Sequence, residues 1–156
     1  MATTTNLKLS KPATSDTVSA FLSAHNANMD TLDALPIPCG SVTSGTMTAL
    51  KLADGTCIIY GVTTFKNVVI GPNQYSGAYI SPNEITVNWP IAVNGTPTVL
   101  ARCYTNLYSD VSVYNVAVSE TQWIGRFSAP FDESAHPYFS DISEKYVHII
   151  AIARWK

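Results

Sequence analysis

The sequence predicts a mainly β protein, in which one short N-terminal helix of coiled-coil type precedes an antiparallel β-sandwich. Three observations carry that prediction. After Gly40 the apolar residues fall into eight short runs separated by turn residues, the spacing of a sandwich or barrel. Before Pro36, the residues Val18, Leu22, His25, Met29 and Leu32 are 4, 3, 4 and 3 positions apart, the pattern of helices that pack on copies of themselves. Charged residues make up only 13% of the chain, about half the ordinary share. So little charge suits an oligomer, in which much of each surface faces another chain.

Residues 1–13 read as an extended leader around Lys11-Pro12. Ser15 and Asp16 then offer side-chain oxygens to the first free N–H groups of a helix. That helix is expected to run to about Leu35, with Phe21, Asn28 and Leu35 flanking its seam at intervals of seven. Pro36-Ile37-Pro38 ends it, because proline lacks the amide proton and restricts its predecessor. At under three heptads the helix is close to the length at which an isolated one is marginal in water, so it needs partners. The expected division is residues 1–39 for leader and helix, and 40–156 for the sandwich.

From Gly40 the period changes. Val42 to Leu50 and Cys57 to Phe65 flank Ala53-Asp54-Gly55-Thr56, and Asp-Gly between apolar runs is a strong hairpin signal. Turns at Gly71-Pro72-Asn73 and Ser81-Pro82-Asn83 bracket short strands, one of them over 77–80. Further strands are expected over 85–89, 98–105, 110–119, 122–127 and 146–155. Val147 to Ala153 is apolar at nearly every position, which predicts cover on both faces, by the opposing sheet and by a neighbouring subunit. If the last four strands form a meander, the loops 106–109 and 128–145 gather at one end, and the turns at Asn94-Gly95 and Glu120-Thr121 lie at the other.

Several functions are excluded. The formal net charge is −2 with no Lys/Arg cluster, so neither a nucleic acid nor an anionic membrane is an expected partner. Cys39, Cys57 and Cys103 are odd in number and lack metal-ligand spacing, which fits free thiols in a reducing compartment. Met-Ala-Thr-Thr-Thr has neither a basic nor an apolar leader pattern, so synthesis in a cytoplasm without a signal peptide is expected. Asp132-Glu133 and Asp141-Ile142-Ser143-Glu144 put carboxylates in a loop, as glycoside hydrolysis needs and as most solvated loops do. No nucleophile elbow, zinc-binding helix or phosphate-cradling loop is present. His136 and His148 stand apart. No catalytic residue, metal or cofactor is assigned, and the chain is read as a non-enzyme.

Two segments carry a resemblance. Thr4-Thr5-Asn6-Leu7-Lys8-Leu9 with Lys11-Pro12, followed by Asn26-x-Asn28-x-Asp30-x-Leu32-Asp33, resembles the N-terminal signature of tail-fibre and baseplate-associated proteins of phages and prophages of Gram-positive bacteria. Ile85 to Val93 with Thr96-Pro97-Thr98-Val99, and the closing His148 to Trp155, resemble the C-terminal β-sandwich of phage tail fibres and, more distantly, H-type lectins. The chain departs from that pattern near Ala153, where glycine is usual, and at Ala92-Val93, where an aromatic run is usual. No lectin ligand is carried over. The resemblance implies a homotrimer in a virion tail, made in the host cytoplasm, joined to tail or baseplate proteins and recognising a bacterial surface glycan without catalysis. A purely structural tail component and a polysaccharide-trimming enzyme are the alternatives.

Candidate residues follow from the loops. Tyr104, Asn106, Tyr108, Asp110, Asp132, His136 and Tyr138, with Phe131 and Phe139 beside them, crowd into the two loops that parity sends to one end. Sugars offer C–H faces to rings and hydroxyls to carboxylates and amides, so this mixture suits a shallow glycan site. The same rings could instead pack the long loop onto the sandwich or build a subunit contact. On the helix, Val18, Phe21, Leu22, His25, Asn28, Met29 and Leu32 form the expected trimer seam. There His25 and Asn28 would set register as a buried polar layer, hold an ion or water on the axis, or remain partly exposed.

Overall fold

The computed structural model describes residues 2–3, 9–11, 17–105, 111–135 and 144–156. Strands β1 (Ala2–Thr3) and β2 (Ser10–Lys11) pair antiparallel ahead of helix α1 (Val18–Asp33), which lies against β2. The helix cap is Thr17, whose Oγ1 accepts the Ala20 N–H at 3.2 Å. The expected caps, Ser15 and Asp16, lie outside the described residues. At the other end the Ala34 N–H donates to the Asp30 carbonyl at 3.1 Å, and the chain leaves the helix before Pro36.

Ten strands follow: β3 (Pro38–Ser44), β4 (Met47–Leu52), β5 (Thr56–Lys66), β6 (Gln74–Tyr75), β7 (Ala78–Ile80), β8 (Ile85–Asn88), β9 (Asn94–Thr105), β10 (Ser112–Val118), β11 (Gln122–Ala129) and β12 (Glu144–Arg154). They build two antiparallel five-stranded sheets. The long sheet has the order β3-β4-β5-β12-β9. In the second sheet β11 pairs with β10 on one side and with β8 and then β7 on the other, and β6 pairs with β7.

Three details differ from the sequence reading. The run Val42 to Leu50 is two strands, because Gly45 at φ +58 starts a tight turn between Ser44 and Met47. A left-handed φ suits glycine at the first position of a two-residue hairpin loop. The last four strands form no meander: β10 and β11 make a hairpin in the second sheet, whereas β12 returns to the long sheet and inserts between β5 and β9. Their ends still gather as parity requires, since Thr105 stands opposite Lys145. Finally, β3 begins at Pro38, so the sheet starts just ahead of the expected boundary. Hydrogen bonds from Ala53 N to Ile37 O at 2.8 Å and from Asp54 N to Leu35 O at 3.2 Å tie the helix exit to the β4–β5 turn.

Alternation fills the space between the sheets. Cys57 and Ile59 of β5 and Val147, Ile149, Ala151 and Ala153 of β12 meet Trp123 and Phe127 of β11, with Ile70, Ile85, Val87 and Trp89 closing the core. The buried Trp123 indole donates to Asn115 Oδ1 at 2.6 Å, so its polar atom is satisfied. Its ring covers Gly125, where a Cβ would stand 2.2 Å from the indole. Burial raises the thiol pKa of Cys57, and pushes that of Cys103 up to about 12. Neither thiol is then a ready nucleophile.

Among the described residues, one ion pair lies inside. Lys145 on β12 and Glu133 in the 3-10 turn Glu133–Ala135 are both fully buried, with Nζ 3.0 Å from Oε2. Lys145 also donates to the Val68 carbonyl at 2.6 Å, and Glu133 Oε2 accepts the Ile70 N–H at 2.7 Å. Removing one member of such a pair leaves a buried charge uncompensated, at a cost of about 3–5 kcal/mol. Lys145→Met is therefore expected to lose about 3 kcal/mol or more in urea unfolding. A loss below about 1 kcal/mol would mean that the carboxylate is readily accommodated without its partner.

Candidate functional site

The outer face of the long sheet is the surface on which the sequence and the fold disagree most. Strands buried on one face alternate, and β12 does so: its odd-numbered residues point into the core and Tyr146, His148, Ile150, Ile152 and Arg154 point away. Yet these outward positions are largely apolar, on the central part of a five-stranded sheet. Ile150 is 51% exposed and Ile152 53%.

Register arranges this face in rows. Leu100, Ile150 and Tyr60 stand opposite one another across β9, β12 and β5, and Thr98, Ile152 and Ile58 form the next row. Leu100 is 70% exposed and Tyr60 47%. Leu50 of β4 continues the second row beside Ile58. Between Tyr60, Val62, His148 and Ile150 lies a shallow depression of about 250 Å³. A contiguous apolar surface of this kind marks an interaction site, whereas single exposed leucines do not.

Toward the end where Thr105 meets Lys145, the rows become aromatic and polar. Tyr104 and Tyr146 are register partners whose rings stack at 4.8 Å with 12° between planes, and His148 tilts against Tyr104 at 5.1 Å. The Tyr146 hydroxyl donates to Glu144 Oε2 at 2.5 Å, while Lys66 Nζ pairs with Glu144 Oε1 at 2.6 Å. The Lys66 bond first, then the Tyr146 bond, hold the Glu144 carboxyl below its ordinary pKa. The same carboxylate holds the Tyr146 phenol above the ordinary tyrosine value. Together they form a half-open patch with ring faces, a hydroxyl and a carboxylate.

The residues singled out by sequence are placed as follows. Tyr104 belongs to the aromatic patch. Asp132 does not: it is half-buried, its Oδ1 accepts the Ser134 N–H at 2.9 Å, and it packs against Gly71. Its carboxylate caps the turn that presents Glu133. Asn106, Tyr108, Asp110, His136 and Tyr138 lie outside the described residues. Tyr146 and His148 were not expected at a site, because the apolar run Val147 to Ala153 predicts cover on both faces. In the helix seam, Val18 at 77%, Leu22 at 53% and Met29 at 46% are open together with His25. Asn28 and Leu32 are half-buried, and the side chain of Phe21 lies outside the described residues. The covered side of the helix is that of Ala24, which is 5% exposed.

The Glu144–Tyr146 bond has a signature in pH. A carboxyl lowered in the folded state contributes stability above its unfolded pKa, lost as pH falls through the folded value. A phenol raised in the folded state contributes below its unfolded pKa, near 10.0, lost as pH rises through the folded value. Spectrophotometric titration of the folded protein should show a tyrosine step above 10.0. Tyr146→Phe should delete that step and Glu144→Gln should lower it; a profile unchanged in both variants would place the hydroxyl away from the carboxylate in solution.

Compared with known proteins, the chain matches no protein-family model, no curated protein and no solved structure.

Proposed function

We propose that the chain is a homotrimeric tail-fibre or baseplate-associated protein that recognises a bacterial surface glycan without catalysing a reaction. The observation that carries this reading is the apolar pair of rows on the outer face of β9, β12 and β5, which a single copy leaves in water. Three strands about 4.8 Å apart, each contributing about ten residues at 3.4 Å, present about 490 Å². That is over half of the ~800 Å² per partner buried in a stable interface. Second and third copies of the same chain are the occupants that also suit the helix, whose open stripe of Val18, Leu22, His25 and Met29 calls for like helices. The leader and helix then join the trimer to tail or baseplate proteins. The aromatic patch of Tyr104, Tyr146 and His148 supports the glycan part, because stacked ring faces beside a carboxylate suit a sugar.

A purely structural tail component is the second reading, and a particular observation favours it. Asp132 is occupied in capping its own turn and Tyr104 in stacking on Tyr146, so two of the expected sugar contacts already have partners within the protomer.

Light scattering of the full chain should give a trimer at micromolar concentration. Ile150→Asp with Ile152→Asp should give a monomer with a cooperative melt, because the substitutions touch only the outer face. A double variant that remains trimeric would move the interface elsewhere. Tyr104→Ala should reduce binding to host cell-wall fragments about tenfold, the worth of a stacked ring. A trimer that binds no fragment at all would favour the structural component.

A further inference from the structure

The fold assembles a cluster that the sequence does not show. Lys51 at the end of β4 and Lys156 beyond β12 hold their Nζ atoms 5.0 and 5.4 Å from the centroid of the Trp155 ring. Arg154 converges on the same corner. Its Nη2 lies 2.7 Å from the point that a Cβ on Gly55 would occupy, and Lys156 Cγ lies 3.1 Å from that point. The bare Cα of Gly55, at φ +88, is what admits both side chains. The indole is fixed from behind, since its Nε1–H donates to the Leu52 carbonyl at 2.9 Å and its backbone N–H to the Gly55 carbonyl at 2.9 Å.

Among the described residues Lys66, Arg126 and Lys145 each meet a carboxylate, whereas Arg102, Lys51, Arg154 and Lys156 have none within ion-pair distance. The last three gather at this corner. Asp54 is the nearby acid: its oxygens accept from Thr56 N–H and Oγ1–H, and these bonds, more than Arg154 and Lys156, hold its carboxyl below the ordinary value. Counting side chains alone, three cations face one acid, on a chain of formal net charge −2. A nucleic acid would need a stripe of such contacts along several phosphates, and this is one corner with one ring.

We propose that Lys51, Arg154, Trp155 and Lys156 bind an anionic saccharide, the cations holding a phosphate or carboxylate substituent while the indole covers the sugar's C–H face. This rests on the glycan-recognition reading above and adds the ligand's class. The site lies at the opposite end of β12 from the aromatic patch, so the two readings can fail separately.

The test is binding of the full chain to immobilised phosphomannan, polygalacturonate, neutral mannan and a thymidine oligonucleotide, at low and at high salt. At low salt one anionic polymer should bind at least about tenfold more tightly than neutral mannan, with the advantage shrinking as salt screens it. The preferred polymer tells phosphate from carboxylate. Lys51→Gln with Arg154→Gln and Lys156→Gln should lose about tenfold on that polymer, while Arg126→Gln loses nothing. Should the triple variant melt, the wild-type protein still reports, because Trp89 and Trp123 are buried and Trp155 is the half-open indole. Its emission should shift on addition of the anionic polymer. Anionic binding that the triple variant retains, an unshifted emission, or tighter binding to the oligonucleotide would each overturn the inference and leave the glycan reading standing. Failure to bind any of the polymers or host cell-wall fragments would overturn both.

Discussion

The constraint on which the rest of the structure depends is the insertion of β12 between β5 and β9. The pairing runs from Glu144 opposite Lys66 to Arg154 opposite Thr56 on one side, and from Lys145 opposite Thr105 to Arg154 opposite Asn94 on the other. Without β12 the long sheet falls into a three-stranded piece and a lone strand, because β5 and β9 have no pairing with each other. The core follows the same dependence, since Val147, Ile149, Ala151 and Ala153 supply its centre from the long sheet. Contacts between the final strand and strands far earlier in the chain are costly in loop entropy before they are made, so assembly of this sheet is expected to be late and cooperative.

The buried pair of Glu133 and Lys145 locks the start of that strand. Lys145 stands where an apolar residue would satisfy the inward face, so its charge must be matched in place. Glu133 supplies the match, and its shared Oε2 also binds the backbone at Ile70. Three segments distant in sequence are thereby fixed at one point: the stretch before Gly71, the turn after β11 and the first residues of β12. Desolvating two charges gains little net stability, so the pair is better understood as specifying geometry than as strengthening the core. The Phe127 ring lies 5.9 Å from Nζ and offers its face to the ammonium.

What was legible in the sequence follows from what is local. The Asp54-Gly55 turn, the helix exit at Pro36 and the general positions of the strands are all written in neighbouring residues. The turn at Gly45 was hidden because Ser44, Gly45 and Thr46 sit inside a run of β-branched residues that reads as one strand. The pairing of β12 was hidden for a different reason. Periodicity says which face a strand buries, but not which strand it lies beside. Lys145 reads as a surface residue between Glu144 and Tyr146, and only the return of β12 into the long sheet carries it inside. The Lys51–Trp155 contact was likewise invisible, since it joins β4 to the chain's last residues. At the candidate site, the composition of the loops drew attention to Tyr104, but its actual companions, Tyr146 and His148, come from a strand whose apolar run masked its outer face.

The outer face of the long sheet changes character along its length, and this gradient connects the separate functional proposals. At one end are Tyr104, Tyr146 and His148 with Glu144 and Lys66; the middle rows are Leu100, Ile150, Tyr60 and Ile152; the other end carries Arg154, with Lys51, opposite Cys57, and Trp155, packed against the core, at the inward edge of that end. Protein interfaces place apolar residues centrally and polar ones at a wet rim. If copies of the chain meet on the middle rows, the aromatic and the basic ends both become rims, exposed beside the contact and repeated once per subunit. Repetition matters for a weak sugar contact, because a second site bound on the same particle gains from effective concentration and needs no new interaction. One strand, alternating faithfully, would thus divide its inner face to the core, its central outer face to self-association and its two ends to ligands.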